Sequence, residues 1–285
     1  MSAAAALLAD GRLHLQHGPI DCLVRAWGDA GEVRAAYAQA ASAFPEILPA
    51  LCAELPRLRA RLPGVRPDGE TARAMHDACA PFADGFITPM AAVAGAVADR
   101  VLAALTRGRA LDRAYVNNGG DIAFHLAPRQ SLRCGMVADL AAPALDGVFV
   151  LTADNAARGL ATSGQACKGR GGRSFSLGIA DAVSVLARTA AQADAAATVI
   201  ANAVDLPGHA AIIRRRACEI DPDSDLGAVT VTWDVGALSR DEIDAALARG
   251  AGMAGALRGA GLVEQAVLAL RGRMCVCAPD AKVLS

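Results

Sequence analysis

SLGIADAVSVLARTAAQADAAATVIANAVD, residues 176–205, decides how this chain is read. Its middle, 180–187 (ADAVSVLA), has the β-branched content of a buried strand. Thr189 stands where a helix cap belongs, and a helix is expected from there to about residue 204. That helix is nearly all alanine and β-branched residues except for one line of polar groups. At about 100° per residue, Asp194, Thr198 and Asn202 fall within about 80° of one another, and Asp205 just past the end lies among them. Such a line can simply face solvent. A solvent face normally carries Lys, Glu and Arg, however, and none of these occurs between Thr189 and Ile213. Short oxygen-bearing side chains on a small-residue helix suit a hard cation, or a hydroxylated ligand held close to the helix.

The whole chain has 285 residues, a formal net charge of -1 and 54% hydrophobic content. That is enough for a sizeable core, in one large domain or two tightly joined halves. Near-neutral charge, and the lack of a basic run with interleaved aromatics, speak against nucleic acid as a partner. Arg214, Arg215 and Arg216 cluster at a strand edge, where such charges are usually solvated. No membrane is expected either. The N-terminus has no basic residue before its short apolar run, so it makes a poor signal peptide. Uncharged stretches such as 86–98 fall short of a span. The expected location is cytoplasmic. The 8 cysteines include no C-x-x-C pair and no histidine at zinc spacing, so free, mostly buried thiols are expected. Cys275 and Cys277 alternate on one strand face and read as core.

Taken in order, 13–18 and 21–27 read as two strands, and 31–62 as several helical pieces cut by Pro45, Pro49 and Pro56. A helix is expected at 70–80. Pro89 suits a first helical position with Thr88 as its cap. Ala91, Ala94, Gly95 and Ala98 then form a small-residue face, read first as a helix-packing surface. Strands follow at 114–116, 121–126, 131–137 and 147–151, then about twenty residues of Gly-rich loop. Beyond the opening stretch, 210–218 and 228–233 read as strands. Ser239 and Glu242 form a capping box. Gly250, Gly252, Gly255, Gly259 and Gly261 are expected to break the helix behind it, and 268–277 to close with a strand. A homodimer surface on the glycines from Gly250 to Gly261 is a further expectation. This order implies an α+β fold of two similar halves, about 1–145 and 146–285.

Asn117-Asn118-Gly119-Gly120-Asp121 sits between two strands. It reads as a hairpin turn, or as a site where glycines let backbone approach a ligand beside the Asp121 acceptor. Thr162-Ser163-Gly164 opens the loop TSGQACKGRGGRS. That loop is either a surface loop or a phosphate cradle, with Lys168, Arg170 and Arg173 to attract an anion. It matches neither the P-loop nor G-x-G-x-x-G. The five histidines fall in no nucleophile or metal motif, and Asp221, Asp223 and Asp225 do not complete an EF-hand.

N-x-G-G-D (117–121), T-S-G (162–164) and A-D-A-x-A-T (193–198) occur in the order found in ApbE-like proteins, and the chain resembles that superfamily. Its members include flavin transferases that move FMN from FAD to a protein threonine with Mg²⁺. LHLQHGPID (13–21), TPMAAVAGAVAD (88–99) and DPDSDLG (221–227) resemble an uncharacterised bacterial branch. The resemblance spans most of the chain. It implies a tandem pair of β-β-α-α-β-β units in two layers. It also implies Asp194 and Thr198 as metal ligands, Asn118, Gly119, Gly120 and Asp121 as a nucleotide-contacting turn, and Thr162, Ser163 and Gly164 as the loop beside it. The transferases' H-x-x-D-P motif is missing. In that interval only Ser176 and Asp181 could substitute, which puts FMN transfer in doubt.

Three readings stay open at this point. The first is an Mg²⁺-dependent protein acting on FAD, FMN or a related nucleotide. The second is another small-molecule enzyme, such as a hydrolase using Ser163, Ser176 or Asp181. The third is a flavin-binding protein without chemistry.

Overall fold

The computed structural model describes residues 2–137, 145–164 and 175–278. The described chain forms two compact units. One takes residues from 1–134, 149–161 and 187–195; the other takes residues from 135–148, 162–186 and 196–285.

In the first unit, β1 (Ala4–Leu7), β2 (Leu13–His17) and β3 (Ile20–Gly28) run antiparallel. Then come α1 (Ala30–Ala43), α2 (Ile47–Ala53), α3 (Leu55–Leu58), α4 (Glu70–Cys79) and α5 (Val93–Thr106), followed by β4 (Leu111–Asn118) and β5 (Asp121–Leu126). β4 lies between β3 and β5, antiparallel to both. Alternation along β2 and β3 explains the layering: Leu13, Leu15, Ile20, Cys22, Val24 and Ala26 are buried on one face. The other face carries a stacked ladder, with the Trp27 ring 5.3 Å from the Arg25 guanidinium and 4.7 Å from that of Arg113. Helix α5 packs on β4, β5 and α1 through Ala96, Val97, Val101 and Leu105. The stretch Pro89–Thr106 has the length and apolarity of a membrane span, but half of it is buried as in a core helix. Pro89 opens a 3₁₀ turn, Pro89–Ala92, ahead of α5, and Thr88 makes no side-chain capping bond there, contrary to expectation.

β6 (Ser131–Met136) and β7 (Gly147–Thr152) form a two-stranded ribbon. β8 (Gly159–Ser163) pairs antiparallel with β5 through Leu160 and Gly159. Both β1 and β8 correct the sequence reading, which had a loop at β8. A strand this short, buried at Gly159, Leu160 and Ala161 in succession, shows no alternation.

In the second unit, β9 (Ala182–Ala187) is buried at every position and pairs with β12 (Gln265–Leu270), which pairs with β13 (Arg273–Cys277); all are antiparallel. β10 (Ile212–Arg216) and β11 (Thr230–Val235) make a second ribbon, with the short α7 (Ala217–Ile220) after β10. The opening stretch folds as read: β9, then α6 (Ala190–Ala203), whose Gln192 N–H donates to the Thr189 hydroxyl at 3.1 Å. The division between the units falls within β8, β9 and α6.

α8 (Arg240–Gly259) is one unbroken helix and corrects the expectation that its glycines break it. The Ser239–Glu242 capping box secures its start. Gly250 is where the helix touches the core: a Cβ there would lie 2.3 Å from Val204 and 2.7 Å from Leu268. The closing segment is a hairpin, β12–β13, rather than a single strand. Cys275 and Cys277 sit half-buried on β13, and burial pushes the Cys277 thiol up to about 11.

Candidate functional site

The turn between β4 and β5 is the glycine hairpin turn that the sequence allowed. Asn118 pairs with Asp121 across it, and Gly119 and Gly120 adopt φ 64° and 110°, which only glycine takes without strain. Asn117 steadies it by accepting from the Gly120 N–H at 2.8 Å. Yet its two end side chains point inward: Asn118 and Asp121 are buried, at 7% and 8% exposure. The Asn118 amide donates to the Ala94 carbonyl at 3.0 Å and accepts from the Asp21 N–H at 3.4 Å. The turn is therefore tethered to the first turn of α5.

The start of α6 meets α5 at very close range. A Cβ on Gly95 would lie 2.2 Å from the Ala190 carbonyl oxygen, and one on Gly159 would lie 2.2 Å from the Ala190 nitrogen. Only glycine permits either approach, so the small-residue face around Gly95 is a packing surface, as expected. Asp99 then caps α6 from outside. Its two oxygens accept from the Ala190 and Ala191 N–H groups at 3.0 and 2.9 Å. Burial pushes the Asp99 carboxyl up to about 6, although those N–H groups pull it down.

Asp194, one turn into α6, accepts from the Gly95 N–H at 3.1 Å. Loss of hydration raises its carboxyl well above the ordinary value, and the nearby Asp121 charge raises it further. The Gly95 and Ala94 N–H groups work against this, and Asp99 adds a smaller push. The structure thus brings two expected residues together, Asp121 and Asp194, in one electrostatically coupled pair. Two carboxylates this near to each other raise the cost of ionising Asp194.

Other expected residues serve the framework of the second unit. The Thr162 and Ser184 hydroxyls are 2.8 Å apart. Gly164, at φ 138°, admits the Asp181 carbonyl, which would lie 2.5 Å from a Cβ. Ser163 is half-buried. Ser176 and Asp181 are not assembled as a catalytic pair. The buried Ser176 hydroxyl donates to the Asn202 side-chain oxygen at 3.5 Å, while the Asp181 carboxylate accepts from the Arg271 N–H at the β12–β13 turn. Asn202 also accepts from the Leu177 N–H at 3.0 Å, and Asp205 pairs with Arg214 at 2.5 Å. Arg214 is therefore no solvated charge: it also donates to the Leu177 carbonyl and the Thr232 hydroxyl. Thr198 follows Asp194 by one turn and is half-buried. Lys168, Arg170 and Arg173 lie outside the described residues. Among the described residues no group of three or more His, Cys, Asp or Glu side chains gathers as a metal cluster.

Sequence reading missed Asp99. One signal was available: it is the single acid in the apolar run 88–99, one turn beyond Gly95 on the small-residue face.

These features define an α+β protein with a glycine hairpin and a buried carboxylate pair at a helix start. The chain belongs to the family described as AbpE bacteria, whose family model matches residues 5–276. Among its relatives are UPF0280 proteins of methanogens. That of Methanosphaerula palustris is 39% identical over 118 residues, 41% of this chain and 47% of the relative. That of Methanopyrus kandleri is 38% identical over 133 residues, 47% and 48%. The one from Methanothrix thermoacetophila is 34% identical over 148 residues, 52% and 58%. The chain thus spans about half the length of the curated relatives it matches. The flavinyl transferase ApbE of Pseudomonas stutzeri, in its apo form, covers 98% of this chain and 94% of its own at 12% identity, with a TM-score of 0.41. A likeness that slight carries no further argument.

Proposed function

We propose that this chain is an Mg²⁺-dependent flavin-nucleotide-binding protein related to the FMN transferases, with chemistry that has diverged from theirs. The observation that carries the reading is Asp194, held near the start of α6 by the Gly95 N–H at 3.1 Å with the Asp121 charge near enough to raise its carboxyl. The donors fit a hard divalent cation. They are oxygens only, and a cation beside them would offset both the lost hydration and the Asp121 repulsion that raise the Asp194 carboxyl. Asp194 and Asp121 would hold the metal, and Thr198, one turn along the same helix, offers a hydroxyl. Bound there, Mg²⁺ would supply charge neutralisation at a diphosphate. The Gly119–Gly120 backbone, open on its outer side with nothing within 4 Å of a Cβ at either position, would lie against the nucleotide.

A specific observation also favours binding without transfer. The transferases' histidine is absent from the sequence, and Ser176 and Asp181, its candidate substitutes, are committed to Asn202 and Arg271. Titration calorimetry of the full chain with FAD, with and without Mg²⁺, tests the main reading. Tight binding that needs Mg²⁺ and vanishes in Asp194→Ala supports it. FAD that binds equally well with and without Mg²⁺ overturns the metal assignment, and no FAD binding in either case overturns the flavin assignment. FMN release in the same cell distinguishes an enzyme from a binding protein.

A further inference from the structure

We propose that Asp99 is a positioning residue for the carboxylate pair: acting through α5, it fixes the first turn of α6 and so the placement of Asp194 beside Asp121. The inference rests on the metal reading given above.

Helix α5 holds both members of the pair. Its Ala94 carbonyl takes the Asn118 amide, at the root of the turn that ends in Asp121. Its Gly95 N–H holds one Asp194 oxygen. One turn further on, Asp99 takes the Ala190 and Ala191 N–H groups, which open the helix bearing Asp194. A helix start needs acceptors for its first N–H groups, and the chain just before α6 supplies Thr189, which takes Gln192 and is itself hydrogen-bonded to Asp99. The remaining acceptor comes from 91 residues away in sequence. An ordinary local cap would satisfy the same donors without tying α6 to anything. Asp99 does both, so α5 acts as a common strut between the two carboxylates. Gly95 removes the side chain that would push α6 off that strut.

Mn²⁺, followed by electron paramagnetic resonance of the free ion, is a direct probe of the pair in the full chain. Asp99→Asn keeps the volume and one acceptor but cannot accept from both N–H groups. It is expected to weaken Mn²⁺ binding by tenfold or more, in the range of about 10–100-fold typical of groups that orient metal ligands. Asn118→Ser cuts the tether at the other end of the strut, and a similar loss is expected. Ser239→Ala is the control. It removes the side-chain cap of α8, which is not part of the strut, so it should lower thermal stability and leave Mn²⁺ affinity alone. If Asp99→Asn, or Asn118→Ser should the first not fold, binds Mn²⁺ within twofold of wild type while Asp194→Ala does not bind, the positioning role is wrong and the metal site stands. If Ser239→Ala weakens binding as much as Asp99→Asn, lost stability alone explains the effect and the positioning role is again wrong. If the wild-type chain binds no Mn²⁺, the metal reading falls and this inference with it.

Discussion

The two halves of α6 carry the same kind of side chain on the same face, yet they are used in opposite ways. At and just past the C-terminal end, Asn202 and Asp205 each meet a donor. Asn202 accepts from Leu177 and Ser176, and Asp205 faces Arg214. In the N-terminal half, Asp194 meets the Gly95 and Ala94 N–H groups but also two like charges, Asp121 and Asp99. The first arrangement is a finished structural network. The second is electrostatically unfinished, and proteins keep such sites where a ligand completes them. Composition alone cannot separate the two halves; partners can.

The strongest way to break the comparison is Asp194→Ala. Mg²⁺-dependent FAD binding should fall by at least about 100-fold, below detection by calorimetry, since a metal ligand outranks the groups that orient it. The fold should persist, because α6 keeps its caps from Asp99 and Thr189 and the change gives up only the acceptor for the N–H groups at the start of α5. A variant that unfolds would place Asp194 in the same class as Asp205.

Gly95→Ala tests the geometry that separates the halves. Its Cβ would collide with the Ala190 backbone at 2.2 Å, and neither helix backbone can yield as a side chain would. The expected loss is about 3 kcal/mol or more, read as a shift of the urea midpoint, together with weaker metal binding. Unchanged stability would mean that α5 and α6 are not packed this closely.

Titration sharpens the same contrast. Folding raises Asp99 from 3.8 to about 6, so the unfolded chain gives up this proton first. Its contribution to stability is full below about pH 4, is lost as pH rises to about 6, and is flat above. The span is about 3 kcal/mol. Wild type should therefore lose about that much relative to Asp99→Asn between pH 4 and 7, measured by urea denaturation at each pH without divalent metal. A constant difference across that range would show that Asp99 is not desolvated.

Much of this was legible before any coordinates. The oxygen stripe of α6, the Asn–Gly–Gly turn and the order of elements around them follow from local spacing. What could not be read depends on distance or on burial. Asp99 looked like an ordinary helix residue because the donors it serves are encoded 91 residues later. Ser176 and Asp181 looked available because Asn202 and Arg271, their partners, are equally remote. β8 hid because strands buried on both faces lose their alternation. In α8 the glycines counted as breakers because each disfavours helix by about 1 kcal/mol. A capping box and the buried side chains Ile243, Ala246, Leu247, Ala254 and Leu257 outweigh them.

Asp205→Ala is the counterpart of Asp194→Ala and should reverse its effects. Arg214 would keep the Leu177 carbonyl and Thr232 hydroxyl but lose its charge partner, both groups being largely buried. A loss of about 2 kcal/mol is expected, as for a hydrogen bond to a charged group. Mg²⁺-dependent binding should be unchanged at temperatures where the variant is folded. Weakened metal binding in a fully folded Asp205→Ala would merge the two halves of α6 into one functional stripe.

The smallest effect comes from the scaffold alone. Gly255 lies in α8 with nothing within 4 Å of a Cβ and with no left-handed φ. Alanine there should stabilise by about 0.5–1 kcal/mol, because it restricts the unfolded chain and raises helix propensity without touching a neighbour. Gly250→Ala in the same helix should do the reverse, since its Cβ would lie 2.3 Å from Val204. Val204 also closes the structural half of α6, where its carbonyl accepts from the Ile179 N–H at 2.8 Å. Neither change should move the affinity for Mg²⁺ if the carboxylate pair depends on α5 and the start of α6. A stabilised Gly255→Ala whose metal affinity shifts by more than twofold would show that the pair depends on more than α5 and the start of α6.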